Sequence, residues 1–344
     1  MFSLEPLIRP NIRQLAPYSS ARHEFVGTAE VYIDANENPN DTGLNRYPDP
    51  LQQKVKAALA NYKKVDSKHI FLGNGSDEAI DLLIRIFCEP RVDHIITLPP
   101  TYGMYKVSAD IADVEVKSVL LTADFQPDVE AILDKTDEHS KLLFLCTPNN
   151  PTGTRFEQKY VLDLTARFPG IVVIDEAYID FSSQDSYTQM LDDYPNLVVL
   201  QTFSKAWGMA AIRLGIAYAS TDIIHYFNKV KPPYNVNILT QQAALDCLKQ
   251  AEQQEIWTKE IIAQRDRLAK QLLNLPYVQK IYPSDANFLL VQVEKPNDLY
   301  QFLVDHGIIV RNRSTVPLCK GCLRITIGTA AENERLTQVL TTYQ

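Results

Sequence analysis

Four short, almost wholly apolar runs limit what this chain can fold into: HIITL (94–98), KLLFLCT (141–147), IVVID (171–175) and LVVLQT (197–202). A strand with one wet face alternates apolar and polar residues. A run without alternation reads as a strand covered on both faces, as in a parallel sheet with helices on either side. DVEVKSVLL (113–121) and RLGIAYAS (213–220) extend the series. Helical patterns lie between many of the runs, most clearly in LQQKVKAALANY (51–62) and SDEAIDLLIRIFC (76–88). This alternation predicts an α/β fold, a large domain with a mostly parallel central sheet flanked by helices.

The pattern changes after about residue 235. Residues 238–275 read as a long helical stretch with a break. VQKIY (278–282), FLLVQV (288–293), the helical DLYQFLVDHG (298–307) and LRITIG (323–328) follow and predict a smaller α+β domain. The proline pair in PPYNVN (232–237) is the expected hinge. The expected division is an N-terminal arm over 1–30 packing with the small domain, a large domain over 31–235 and a small domain over 236–344.

Charge and cysteine usage exclude several classes. The net charge is −8 and the basic residues are scattered, which disfavours nucleic acid and anionic membranes as partners. No run approaches the roughly 18 apolar residues of a membrane span, and MFSLEPLIRPNIRQL lacks the apolar core of a signal peptide. Five cysteines, an odd number, suit a reducing cytoplasm. Cys319 and Cys322 have CxxC spacing, but no second Cys or His pair lies nearby, so no metal is expected.

Ligands of open α/β sheets bind beyond the carboxyl ends of the strands. The residues just after each run are therefore the candidates. GNGSDE (73–78) is a Gly-rich turn opening a helix at Ser76, where free N–H groups and the helix dipole favour an anion. Ser76 alone reads equally as a helix cap. PNNPTG (148–153) is a turn signature. Asp175 ends an apolar strand, where a carboxylate is costly unless a cation pairs with it. Tyr178 follows, then Ser204-Lys205, then Arg213. Together they suit one ligand with a phosphate, a cationic ring nitrogen, a hydroxyl and an aldehyde. Pyridoxal phosphate has all four, and a lysine amine condenses with its aldehyde.

On PNNPTG, the DEAY block and SK followed eight residues later by Arg, the chain resembles the fold type I pyridoxal-phosphate aminotransferases over essentially its whole length. APYSSAR (16–22), DANENP (34–39), NRYPDP (45–50), TFSKAWGMAAIRLG (202–215) and CLRITIGT (322–329) narrow the likeness to the branch acting on histidinol phosphate. The resemblance implies catalytic roles for Lys205, Asp175 and Tyr178. Lys205 would hold the cofactor's aldehyde and, once released, move the substrate proton. Asp175 would pair with the ring nitrogen, and Tyr178 and Asn150 with the ring hydroxyl. Tyr102 would stack on the ring. The N–H groups of Ser76 and Asp77, with Ser204, Arg213 and Thr202, would hold the cofactor phosphate, joined by Tyr47 from the other subunit of a homodimer. Arg324, Arg311, Tyr18 and Asn150 would bind substrate. The implied reaction, a step of histidine biosynthesis, converts histidinol phosphate and 2-oxoglutarate to imidazole-acetol phosphate and glutamate. An aromatic aminotransferase, a threonine-phosphate decarboxylase and a non-catalytic pyridoxal-phosphate module are the alternatives.

Overall fold

The computed structural model describes residues 2–18 and 29–343. Its larger sheet contains β1 (Ile70–Asn74), β2 (His94–Thr97), β3 (Glu115–Ser118), β4 (Ser140–Cys146), β5 (Ile171–Asp175), β6 (Leu197–Thr202) and β7 (Leu214–Ala219). The strand order is β1-β7-β6-β5-β4-β2-β3. β7 runs antiparallel to both neighbours, and all other pairs are parallel. The apolar runs are covered on both faces, as their lack of alternation predicts. In β5, Val172 and Ile174 enter the core on one side of the sheet, and Ile171 and Val173 enter the core on the other. β6 divides likewise, Leu197 and Val199 against Val198 and Leu200.

The helix Gly75–Phe87 follows β1 and crosses one face of this sheet. It buries Ala79, Ile80, Leu83, Ile84 and Phe87, and keeps Asp77 and Glu78 in its first turn and Arg85 in its last. Those charges complement the helix dipole at both ends.

The smaller sheet has β8 (Val278–Ile281), β9 (Phe288–Val293), β10 (Arg311–Asn312) and β11 (Cys322–Thr326) in the antiparallel order β10-β11-β9-β8. Helices Ala251–Leu272, Pro296–Asp305 and Ala330–Leu340 supply Leu268, Leu303 and Leu336 to the core beneath it. A capping box of Thr329 and Glu332 starts the last helix.

The structure differs from expectation in three places. The strand expected over 113–121 shortens to β3. Val119 and Leu121 still donate to the Thr97 and Pro99 carbonyls, but Pro99 and Pro100 have no N–H to return, and the ladder ends there. The long helical stretch has its expected break, after Leu248, and resumes at Ala251. The first of these helices, Ile238–Leu248, lies in residues assigned above to the small domain. Its Ala244 nevertheless shares a core with Val55 and Leu59, and Thr240 Oγ1 donates to Ile212 O. The described part of the arm packs on the large sheet's helices instead of the small domain: Ile8 and Ile12 share a core with Ile80, Phe87 and Phe227, and Arg9 pairs with Glu89 at 3.0 Å. Among the described residues, no helix is long and apolar enough to cross a membrane.

Candidate active site

The strand ends converge. Asp175 is the last residue of β5 and Thr202 the last of β6, with Ser204 and Lys205 just beyond. Asn150 follows β4, and Ser76 and Asp77 lie in the first turn of the helix after β1. β7 runs the other way, so Arg213, just before it, stands at the same edge. These residues, with Tyr102, Tyr178, Arg311 and Arg324, line one cavity of about 670 Å³.

At one end the backbone is drawn tight. Gly75 has φ +71°, and a Cβ on it would stand 2.8 Å from Arg213 Nη2. Gly75 N–H donates to Arg213 O at 2.7 Å. A Cβ on Gly215 would collide with the backbone of Gly75 and Ser76. The helix N-terminus is thereby pinned beside Arg213, whose Nη1 donates to Ser204 Oγ at 3.4 Å and whose Nη2 stands 3.6 Å from Asp77 Oδ2. Thr202 Oγ1 donates to Ser204 Oγ at 3.0 Å, and Tyr102 OH to Asp77 Oδ1 at 3.0 Å. Dipole, hydroxyls and guanidinium together make an anion cradle.

In the middle, Asp175 is 2% exposed. Its Oδ2 accepts from Tyr105 OH at 2.6 Å and its Oδ1 from Ala177 N–H at 3.1 Å. Burial pushes this carboxyl above the usual range, opposed by those two donors and by Lys205. A cation against Asp175 would reverse that push. Desolvation lowers the Lys205 amine, and the Arg324 charge lowers it further. Its Nζ stands 5.7 Å from the centre of the Tyr178 ring. Asn150 Nδ2 donates to Tyr178 OH at 3.3 Å, and Arg324 Nη1 donates to Asn150 Oδ1 at 2.6 Å.

The far end is cationic. Arg311, Arg313 and Arg324 all face the cavity. The Nε atoms of Arg313 and Arg324 are buried without a hydrogen-bond partner among the described residues. Among the described residues, five cationic side chains against two carboxylates line the cavity. The donor set therefore fits pyridoxal phosphate: an anion cradle, a buried carboxylate for a ring cation, a Tyr–Asn pair for a hydroxyl and an amine for an aldehyde.

Two expected residues stand outside the cavity. Tyr47 is 51% exposed and stacks on Tyr234 at 4.4 Å. Tyr18 is 75% exposed, and residues 19–22 of its APYSSAR motif lie outside the described residues. Sequence reasoning missed Tyr105, Arg313 and Gly215. Their signals are short spacings from residues already singled out: Tyr102-x-x-Tyr105, Arg311-x-Arg313 and Arg213-x-Gly215.

Residues 19–340 match the aminotransferase class I and II family. A histidinol-phosphate aminotransferase of Cytophaga hutchinsonii is 53% identical, over 99% of each chain. One from Flavobacterium johnsoniae is 54% identical, over 96% of each. The crystal structure of the Clostridium acetobutylicum histidinol-phosphate aminotransferase superposes with a TM-score of 0.80 at 25% identity, covering 87% of this chain and 90% of that one. A Sinorhizobium meliloti structure with the same enzyme name, in complex with pyridoxal-5'-phosphate, shares the fold at a TM-score of 0.79 and 24% identity, over 86% of this chain and 83% of that one. The chain belongs to the aminotransferase class I and II family and, within it, to the histidinol-phosphate aminotransferases.

Proposed function

We propose that this protein is a pyridoxal-phosphate-dependent transaminase that moves the amino group of L-histidinol phosphate to 2-oxoglutarate, giving imidazole-acetol phosphate and glutamate, a step of histidine biosynthesis. One observation carries the reading. The Lys205 amine and the Asp175 carboxylate share a cavity with Arg311, Arg313 and Arg324, none of which has a carboxylate partner among the described residues. Pyridoxal phosphate, when bound, supplies an aldehyde for the amino group and a cationic ring that draws electrons from the substrate's Cα–H bond. Asp175 would hold the ring nitrogen's proton in place. Tyr178 and Asn150 would orient the ring through its hydroxyl, and Tyr102 would cover one face and exclude water. Ser76, Asp77, Thr202, Ser204 and Arg213 would bind the cofactor phosphate. Lys205 Nζ, whose hold on a proton is weakened chiefly by burial, would take the proton from the substrate's Cα and deliver it to the carbon of the cofactor's former aldehyde. Arg324 suits the planar carboxylate of glutamate, and Arg311 with Tyr18 the phosphate of the other substrate.

The active form is a homodimer in this reading. Val31, Ile33, Leu44 and Tyr47 are large apolar side chains left exposed between 29 and 51, Ile33 at 91%. Exposed apolar surface of this kind marks an interaction site, and Tyr47 would then reach the partner's cofactor phosphate. The chain divides in this reading into an arm (1–30), a large domain (31–235) and a small domain (236–344), with the arm's described part and the helix Ile238–Leu248 packed on the large domain. The five free cysteines suit a cytoplasmic enzyme. The test is a panel of amine donors with 2-oxoglutarate: histidinol phosphate, phenylalanine, tyrosine and threonine phosphate. Histidinol phosphate should have the highest kcat/KM; preference for another donor, or carbon dioxide release from threonine phosphate, would overturn the reading.

A further inference from the structure

β10 and β11 pair in a register that sets Arg311 opposite Arg324. Residues directly opposite in an antiparallel pair present their side chains on one face. The ladder continues one step past β10, with Arg313 N–H donating to Cys322 O at 2.9 Å. Arg313 is two residues from Arg311, and side chains two apart on an extended strand share a face. Three guanidinium groups therefore stand together at the far end of the cavity. Among the described residues, Arg313 and Arg324 each keep a buried Nε without a partner, while Asn150 engages Nη1 of Arg324.

Cations brought together and out of water are costly unless an anion joins them. Desolvation weakens the hold of Arg313 on its proton, and the Arg311 charge weakens it further. A carboxylate offers two oxygens and one charge. A phosphomonoester offers three oxygens and nearly two charges, and so can engage more forks at once.

We infer that Arg313 is a specificity-determining residue that binds the phosphate of the amine substrate, completing with Arg311 and Arg324 a three-arginine site for a phosphomonoester. The inference rests on the reaction proposed above. It separates the two substrates: glutamate needs Arg324, whereas the phosphate ester needs Arg313 as well.

The experiment uses holoenzyme carrying Arg313→Gln or Arg313→Lys, with cofactor content and melting temperature checked against the parent protein. Single-turnover spectra follow histidinol phosphate, histidinol and glutamate separately. A hydrogen bond to a charged group predicts a loss of about ten- to a hundred-fold in kcat/KM for histidinol phosphate with Arg313→Gln. Histidinol and glutamate should lose far less than histidinol phosphate, and Arg313→Lys should recover part of the loss, because it keeps the charge but not the fork. Equal losses with histidinol and histidinol phosphate, or none, overturn the inference. Inorganic phosphate is the independent probe. It should inhibit the glutamate half-reaction competitively, more weakly in Arg313→Gln. Unchanged inhibition overturns the role of Arg313 even if the reaction proves to be another. A parent protein inactive on histidinol phosphate but with Arg313-dependent inhibition overturns the reaction and leaves the phosphate site standing.

Discussion

Tyr105→Phe removes one oxygen from a side chain that is wholly buried. The ring can stay where it is, stacked on Phe144 with centroids 4.5 Å apart. What disappears is the 2.6 Å hydrogen bond donated to Asp175 Oδ2. Hydrogen bonds to charged groups contribute about 1.5–3 kcal/mol, and about 1.4 kcal/mol is tenfold in a protonation equilibrium. Losing this donor therefore favours the neutral acid by roughly ten- to a hundred-fold. Burial already holds the Asp175 carboxyl above the usual range, with Ala177 N–H and Lys205 as the remaining opposition. In the variant Asp175 takes up its proton at a higher pH, and a neutral acid no longer attracts a pyridinium. Fluorescence titration of the apoprotein should show weaker binding of pyridoxal phosphate, by about tenfold where Asp175 is ionised in the parent protein and protonated in the variant. The deficit should shrink as pH rises past both transitions, because both proteins then carry the carboxylate. Equal affinities across the pH range would mean that Tyr105 is only packing. A deficit independent of pH would mean that the substitution disturbs the cavity's shape and not the acid.

Three further outcomes follow from other parts of the site. Gly215→Ala forces a Cβ into the backbone of Gly75 and Ser76, so it should destabilise the protein by about 1–3 kcal/mol and weaken cofactor binding; an unchanged melting temperature would contradict that close approach. Glu176 is buried, accepts from Ser186, Gln201 and Tyr187 N–H, and is pushed up to about 7, chiefly by burial. Its folded-state affinity for a proton exceeds the unfolded one, so its contribution is full below about pH 4.3 and is lost as pH rises through about 7. Urea unfolding between pH 5 and 8 should show a decline that Glu176→Gln lessens, and identical slopes would refute this. Lys205→Ala and Tyr47→Ala homodimers should each be impaired yet regain activity when refolded together, because one site of each heterodimer carries neither defect; no recovery despite verified subunit exchange would take Tyr47 out of a shared site.

What the chain discloses locally and what it withholds divide along a physical line. IVVID and LVVLQT announce their burial because a strand covered on both faces has no polar positions, a property of the run itself. Asp175, Ser204 and Lys205 are conspicuous for the converse reason: polar groups immediately after such runs stand at the sheet's carboxyl edge. Ile8 and Ile12 give too short a pattern to say which body the arm covers, and Ile238–Leu248 is apolar enough to suit either side of a hinge. Tyr105 and Arg313 carry only a faint local mark, a short spacing from Tyr102 and from Arg311. Tyr105 reads as one more aromatic on a helix until β5 sets Asp175 beneath its hydroxyl. Arg313 reads as a solvated arginine until the β10–β11 register sets Arg311 and Arg324 on its face. Both become chemically meaningful through pairings far apart in the chain, and the two groups that tune the acid and gather the anion are the ones a single sequence hides.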